Sequence, residues 1–175
     1  MCRAYVSTWK LPVVVTHSSN NYGPYQYPEK VVPFFVTRLL EGKKVPVYGT
    51  GENVRDWLFV LDHCAALLLA LLKGRPGEVY DIGGDTELSN LELARLILKH
   101  FNKDDSWIEF VADRPGHDLR YAIDSSRIRM ELGWKPAHSF TKTFTQTIEW
   151  YKRHRDWTKR LKIRTESYNP HLSLP

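Results

Sequence analysis

Three polar segments contain the side chains that could bind a charged ligand. They lie at 18–24, 53–58 and 113–118 and have the sequences SSNNYGP, NVRDWL and DRPGHD. The last two contain Arg55 and Arg114, and a guanidinium offers a planar fork of donors that matches phosphate oxygens. Two arginines can share the charge of a diphosphate, so these segments favour an anionic ligand.

Each of these polar residues also has an ordinary structural explanation. Asn20 and Asn21 follow an apolar run and could simply form a turn. Arg55 could form a surface ion pair with the adjacent aspartate, worth under about 1 kcal/mol. Arg114 and His117 could equally serve hydrogen bonding within their loop. The residues alone leave both interpretations open.

The sequence lacks the patterns of several other sites. Cys2 and Cys64 have neither CxxC nor CxxxH spacing, so we expect no disulfide framework and no metal site. No GxxGxxG pattern follows a strand, and Tyr5 does not begin a Tyr-x-x-x-Lys pattern, since Trp9 stands four positions later. The chain therefore has candidate binding residues without a dinucleotide-phosphate turn.

Alternating strands and helices are expected to position these segments. The Val-rich run 11–16 predicts a strand buried on both faces, as in a parallel sheet, and it ends in the polar loop 18–24. The later predicted elements are a helix at 31–40, strands at 45–48 and 57–60, a helix from Asp62 to about Leu72 buried on nearly every face, a strand at 78–82, a capping box at 89–92 that opens a helix to about His100, a strand near 108–111, and helices at 125–132 and 143–154. This order predicts the α/β class, and we treat the chain as one structural unit. Trp150, Tyr151 and Trp157 are interpreted as packing residues.

Composition indicates a soluble globular domain with an anionic partner. The 175 residues are 42% apolar and 26% charged, with a net charge of +5. This charge suits either nucleic acid or a small phosphorylated ligand. The acidic residues interspersed in the basic stretch 152–164 favour a solvated surface, so we expect no nucleic-acid partner. The longest apolar run, 65–72, is too short to span a bilayer and no signal peptide is evident, which predicts a cytoplasmic protein with no membrane partner.

Four segments together resemble the dTDP-glucose 4,6-dehydratase branch of the extended short-chain dehydrogenase/reductase family. They are SSNNYGPYQYPEK at 18–30, NVRDWL at 53–58, YDIGG at 80–84 and DRPGHD at 113–118. The first and last distinguish dehydratases of this kind from related epimerases and decarboxylases. The resemblance extends to about Tyr151, and beyond Trp157 the sequence no longer follows the family closely. Asp81 stands where the family usually has Asn, which leaves its hydrogen bonding open.

The resemblance implies a nucleotide-sugar ligand, dTDP-glucose or a related compound, and NAD as cofactor. The residues implied to contact the nucleotide-sugar are Asn20, Lys30, Val31, Pro46, Val47, Tyr48, Arg55, Asn90, Arg114 and His117. Within this set, 46–48 would hold the base, while Arg55, Asn90, Arg114 and His117 would hold the diphosphate and ribose. Asn21 would touch the nicotinamide end of NAD.

Three of these residues have further structural alternatives. Tyr48 could be ordinary strand packing, and Pro46 is common at the start or edge of a strand. Asn90 follows the predicted N-cap Ser89, so a role in starting the helix competes with ligand binding.

The family's reaction has three stages: hydride transfer from the sugar C4 to NAD, loss of water across C5 and C6, and hydride return to C6. It requires a glycine-rich turn for the cofactor, a Tyr with a nearby Lys, and an acid/base carboxylate pair. The resemblance places that Tyr and Lys just before the strand at 11–16, so 1–10 would be the end of their helix. No catalytic residue is therefore expected in this chain.

These implications define the expected architecture and function. We expect the C-terminal part of an extended Rossmann-type dehydratase, with the last strands of its parallel sheet and the smaller substrate-binding α/β domain at 1–157, then a tail of unknown role at 158–175. The function expected is dTDP-glucose binding within an enzyme that forms dTDP-4-keto-6-deoxyglucose. The chain is expected to be inactive alone, and the complete enzyme is expected to be a homodimer. The alternative is a non-catalytic nucleotide-sugar-binding or dimerisation module from a truncated gene. Strands without their neighbours also predict poor solubility or partial unfolding.

Overall fold

The computed structural model describes residues 1–168, with side chains described as far as Leu161. The end of the predicted tail, 169–175, and the Tyr168 side chain lie outside this description. The helices are α1 Cys2–Trp9, α2 Val31–Leu40, α3 Val60–Lys73, α4 Asn90–His100, α5 Ser126–Leu132, α6 Phe140–Arg153 and α7 Arg155–Tyr168. The strands are β1 Val15–Ser18, β2 Asn20–Tyr22, β3 Val45–Tyr48, β4 Val54–Phe59, β5 Val79–Ile82, β6 Glu87–Ser89, β7 Ile108–Val111 and β8 Arg120–Tyr121.

These elements form two compact units that are interleaved along the chain, in place of the single unit expected from the sequence. The first unit contains Met1–Tyr22, Asn53–Leu88 and Asp118–Phe140. Within the described residues, the second contains Gly23–Glu52, Ser89–His117 and the chain from Thr141 to Tyr168. The predicted boundary between 157 and 158 falls inside α7.

Parallel strand pairs form the first unit. β1 pairs with β5 in a register that joins Val15 to Val79 and Ser18 to Ile82. A second sheet has the order β2-β4-β6, and β8 also pairs with β4. The core packed against these strands comprises Leu58, Ala66, Ala70, Tyr80, Ile82, Ile128 and Trp134. The mixed α/β architecture with parallel pairing confirms the predicted fold class.

Two predictions around the first strand are wrong. The strand predicted at 11–16 lies at Val15–Ser18 instead, because Pro12 has no amide hydrogen and the amide of Val13 donates back to the Leu11 carbonyl at 2.8 Å. The polar stretch 18–24, predicted as a loop, contains β2. Pairing with β4 therefore overrides the turn preference of the asparagines.

The helix α3 begins two residues before Asp62 and is not buried on nearly every face as predicted. Its buried side chains are Asp62, Ala66 and Ala70, which recur every fourth residue and therefore share one face. The exposed leucines are Leu61, Leu67, Leu68, Leu71 and Leu72. Small side chains let this helix approach β1, β4 and β5 closely, so these five leucines lie outside the contact, whereas Leu69 is partly buried against the core.

The second unit is built around β3 and β7, which pair in parallel from Val45 opposite Ile108 to Tyr48 opposite Val111. Helices α2 and α4 pack on β3. The bounds predicted for α2 are confirmed, and the capping box of α4 is also confirmed: Ser89 Oγ accepts from the Glu92 amide at 3.1 Å, and Glu92 Oε2 accepts from the Ser89 amide at 2.7 Å. Across 1–168, no helix combines the length and apolar character needed to cross a membrane.

Candidate functional site

The two asparagines of the first polar segment lie in β2, where pairing with β4 fixes their positions. Asn20 is opposite Trp57 and Asn21 is opposite Leu58. The alternative that both merely form a turn is therefore wrong. They directly follow the carboxyl end of β1, and ligands of α/β proteins bind at the carboxyl ends of parallel strands.

The side-chain amide of Asn21 is oriented by hydrogen bonds at both ends. Its Nδ2 donates to the Ser19 carbonyl at 3.1 Å, and its Oδ1 lies 2.9 Å from His63 Nδ1. Burial lowers the pKa of His63, which favours a neutral ring that donates from Nδ1. His63 was not identified from the sequence. Asn21 lies in β2 and His63 lies in α3, so the two residues are distant in the chain and no local sequence pattern links them.

Arg55 and the adjacent Asp56 are both buried, with exposed fractions of 8% and 2%. Arg55 Nη1 donates to the Val54 carbonyl at 2.7 Å and Nη2 to the Asp118 carbonyl at 2.9 Å. Asp56 instead accepts from the backbone amides of Gly84 at 2.7 Å and Thr86 at 2.9 Å. The alternative of a surface ion pair is therefore wrong. The two carbonyl bonds hold the plane of the guanidinium and use two of its five N–H donors.

The strand β3 presents its predicted ligand residues on alternate faces. Val47 is 1% exposed and packs in the core, whereas Tyr48 is 44% exposed and Pro46 is partly exposed on the opposite face. A side-chain contact with a ligand is therefore possible for Pro46 and Tyr48. Val47 could contribute only through its backbone.

The loop after β7 brings His117 next to Tyr48. Their ring centroids are 6.3 Å apart and the rings are nearly perpendicular. His117 Nδ1 lies 2.7 Å from Asp113 Oδ1, an oxygen that also accepts from the Arg114 amide at 2.8 Å. The His117 hydrogen bond is the main cause that lowers the pKa of Asp113. A charged carboxylate thus fixes this loop, while Arg114 itself is exposed.

A glycine is required where β3 meets this loop. Gly49 has a φ of +54°, and a Cβ there would lie 3.0 Å from Asp113 Oδ2. A larger residue would be strained in its backbone and would press on the carboxylate that holds His117. The local geometry therefore depends on Gly49 and Asp113 together.

The remaining predicted ligand residues lie at the starts of two helices. Lys30 is the N-cap of α2, with its Nζ 3.0 Å from Glu29 Oε1, and Val31 is the first helical residue. Asn90 is the first residue of α4. Because Ser89 supplies the cap, the Asn90 side chain is not needed for it.

An open cleft of about 560 Å³ lies at the carboxyl ends of β1 and β5. Its lining includes His17, Ser18, Asp81, Tyr121 and Asp124. Asp81, the residue that departs from the family pattern, has its Oδ1 2.9 Å from His17 Nδ1, directly opposite on the neighbouring strand. The partner of Asp81 could not be identified from the sequence, because it depends on the register of β1 and β5.

The residues of this chain fit only a small part of an NAD site. Asn21 offers a fixed amide of the kind that can bind a nicotinamide carboxamide. The sequence has no GxxGxxG turn for the cofactor's diphosphate and no Tyr-x-x-x-Lys.

Comparison with known proteins connects this geometry to a family. Residues 1–147 match the family described as GDP-mannose 4,6 dehydratase. A dTDP-glucose 4,6-dehydratase of Streptomyces niveus is 52% identical over 164 residues, which cover 94% of this chain and 49% of that protein.

Two solved structures of dTDP-glucose 4,6-dehydratases are also similar to this chain. The dTDP-glucose 4,6-dehydratase of Streptomyces venezuelae, with NAD and TYD bound, has a TM-score of 0.90 at 48% identity, covering 91% of this chain and 50% of that one. The dTDP-glucose 4,6-dehydratase of Bacillus anthracis, in complex with NAD, has a TM-score of 0.87 at 50% identity, covering 91% and 51%.

The match is strong across this chain, yet the chain spans about half the length of the curated relatives it matches. The resemblance drawn from four short segments is confirmed. NAD is confirmed as the cofactor of the family by the dehydratases solved with it. The chain belongs to the GDP-mannose 4,6 dehydratase family and is homologous to about half of a dTDP-glucose 4,6-dehydratase.

Proposed function

We propose that this chain is the nucleotide-sugar-binding part of a dTDP-glucose 4,6-dehydratase, the enzyme that forms dTDP-4-keto-6-deoxyglucose. The observation that carries the proposal is the arrangement of Tyr48, Arg114 and His117 in the second unit. The Tyr48 and His117 rings meet where β3 meets the loop after β7, and Arg114 is an exposed residue of that loop. These are the groups that a base, a diphosphate and a ribose require.

Each of these side chains has a distinct role in the proposal. Tyr48, with Pro46 on the same face of β3, contacts the base. Arg114 pairs with diphosphate oxygens, because its fork of N–H donors matches them. His117 is held by Asp113 with only 5% of its side chain exposed, so it offers its other ring nitrogen to the ribose or diphosphate from a largely buried position.

The other predicted ligand contacts also belong to the proposal. Asn20, Lys30, Val31, Arg55 and Asn90 contact the nucleotide-sugar, Val47 contributes its backbone, and Asn21 touches the nicotinamide end of NAD. For Arg55, the two carbonyl bonds keep the guanidinium plane ready before a ligand arrives. Such preorganisation reduces the entropy lost on binding.

The chain alone is proposed to be inactive. NAD supplies the hydride chemistry of this family, and the chain has neither the glycine-rich turn to bind it nor the Tyr-x-x-x-Lys pair. Within the complete enzyme we propose a homodimer in the cytoplasm. The second candidate is a non-catalytic nucleotide-sugar-binding or dimerisation module, and the missing catalytic patterns are what favour it.

Titration calorimetry with dTDP-glucose and with dTDP tests the binding proposal. We expect saturable binding of both by the wild-type chain. Arg114→Ala should weaken it by about tenfold to a hundredfold, from about 1.5–3 kcal/mol for a charged hydrogen bond. Arg95→Ala is the matched control, since Arg95 is an exposed arginine of the same unit paired with Asp105. Absence of binding, or equal losses in both variants, would contradict the proposal.

A complementation assay separates the two candidates. The chain is mixed with a separately produced polypeptide that corresponds to the other half of a dehydratase, and formation of the 4-keto-sugar is measured. Activity that appears only in the mixture supports the enzyme proposal. Activity from this chain alone would refute its inactivity. Binding without activity in any mixture would support the non-catalytic module.

A further inference from the structure

The loop between β2 and α2, residues 23–30, contains a strained aromatic residue. Tyr25 has a φ of +63°, a left-handed conformation that is unfavourable for a bulky side chain. Such a residue persists only where its surroundings hold it in place, and strain of this kind is concentrated at functional sites. The contacts that hold Tyr25 are therefore informative.

Two tryptophans from α6 and α7 hold the Tyr25 ring. The ring centroid of Trp150 lies 4.6 Å away, and that of Trp157 lies 5.7 Å away with the rings edge to face. His154 in turn stacks on Trp150 at 4.2 Å. The edge-to-face contact with Trp157 is a favourable arrangement for an aromatic pair, so the cluster opposes the backbone strain.

Tyr151 holds the backbone of the same loop. Its side chain is fully buried, and its hydroxyl lies 3.1 Å from the Gly23 carbonyl and 2.9 Å from the Gln26 carbonyl. Burial raises the pKa of this hydroxyl, so it keeps the proton that it shares between the two carbonyls. The carbonyls on both sides of Tyr25 are thus bound to one side chain.

The loop ends at a predicted ligand residue. The Lys30 amide donates to the Tyr27 carbonyl at 3.0 Å, and Lys30 is the N-cap from which α2 and Val31 continue. Once Gly23, Tyr25 and Gln26 are held, the path of the chain into Lys30 has few conformations left.

We infer that Tyr151, assisted by the Trp150 and Trp157 rings around Tyr25, is a positioning residue that sets the loop presenting Lys30 and Val31 to the nucleotide-sugar. This inference rests on the proposed function. It assigns a role in ligand binding to aromatic residues that the sequence indicated only as packing.

Tyr151→Phe is the central variant, and Thr147→Val is its matched control. Thr147 is a fully buried residue of the same helix whose hydroxyl donates to the Thr143 carbonyl at 2.8 Å, away from the loop. Each substitution removes one buried hydroxyl that donates to the backbone. We expect Tyr151→Phe to weaken dTDP-glucose binding by about fivefold, the value for one ordinary hydrogen bond, and to speed hydrogen exchange at the Lys30 amide. Thr147→Val should change neither.

Tyr25→Asn keeps the inference testable if Tyr151→Phe does not fold. Asn tolerates a positive φ, so this variant removes the ring contacts at an exposed position without backbone strain. It should also weaken dTDP-glucose binding several-fold, in line with the size of one aromatic contact.

The outcomes separate this inference from the proposed function. Equal losses of affinity in Tyr151→Phe and Thr147→Val, or unchanged exchange at Lys30, would overturn the positioning role. If the wild-type chain does not bind dTDP-glucose, the proposed function fails. In that case the ligand part of this inference fails with it, while the exchange measurement still decides whether Tyr151 orders the loop.

Discussion

Replacing Asp56 should produce a graded loss of stability that follows the number of amides left without an acceptor. The carboxylate is 2% exposed, and each of its oxygens serves one backbone amide, Gly84 for Oδ2 and Thr86 for Oδ1. Asp56→Ala removes both acceptors. Asp56→Asn keeps the shape and one oxygen, but it turns an amide group toward the second N–H.

The magnitude follows from these two hydrogen bonds. A buried donor left unsatisfied costs about 1–3 kcal/mol. Relief from burying the charge of Asp56 offsets part of this cost. We therefore expect Asp56→Ala to lower the free energy of unfolding by about 2–4 kcal/mol and Asp56→Asn by about half as much.

Urea unfolding monitored by circular dichroism measures the loss, and amide exchange locates it at Gly84 and Thr86. Asp105→Ala is the control, because its ion pair with Arg95 is exposed and should be worth under about 1 kcal/mol. Equal losses for Asp56→Ala and Asp56→Asn would refute this reasoning. So would a loss in Asp56→Ala no larger than that of the control.

Three further predictions concern packing, pH and solubility. A Cβ on Gly84 would lie 1.9 Å from the Trp57 carbonyl oxygen, so Gly84→Ala should cost more than about 4 kcal/mol and yield no folded protein by circular dichroism. Burial lowers the pKa of His63. The unfolded chain therefore binds a proton at this histidine near pH 6.5 that the folded chain does not bind, and the free energy of unfolding decreases as the pH falls below about 6.5. His63→Gln should flatten the fall in urea midpoint over that range, and an unchanged pH profile would contradict this. The exposed leucines of α3 should cause self-association visible in light scattering, which a Leu68→Gln, Leu71→Gln variant should reduce without a lower melting temperature. A monodisperse wild-type monomer with a sharp melting transition would contradict the prediction of self-association.

Local patterns predicted the bounds of α2 and the start of α4 because the signals for these helix ends are short-range, whereas α7 was not among the predicted helices. The Ser89–Glu92 capping box lies within one turn, and the structure contains both of its hydrogen bonds. The helix at 31–40 was predicted with its observed bounds, because its apolar spacing and the following Gly42 are local features.

Burial in α3 could not be predicted in the same way. Its leucines suggested a helix buried all round, yet Ala66 and Ala70 form the buried face. Which face of an apolar helix is buried depends on how closely its neighbours approach. That distance is set by the sheet beneath it rather than by the helix sequence.

The candidate ligand residues show the same contrast between local patterns and tertiary contacts. Arg114 and His117 were identified from a short motif, and the structure places His117 beside Tyr48. The partners that orient the site were not identified, namely His63 for Asn21 and Asp113 for His117. A motif reports residue types at fixed spacing, whereas these bonds depend on the positions of two segments in space.

The sequence by itself determined the family, the α/β class, the bounds of α2, the capping box of α4 and the short polar segments that resemble a nucleotide-sugar site. Only the tertiary structure decided that Asn20 and Asn21 belong to a strand, that Arg55 and Asp56 are buried and bonded to backbone, and that Tyr151 holds the loop before Lys30. The physical reason is how far apart the interacting residues are along the chain. Helix caps and motifs involve neighbours along the chain, while strand pairing and buried hydrogen bonds join residues that are distant in sequence and become adjacent only on folding.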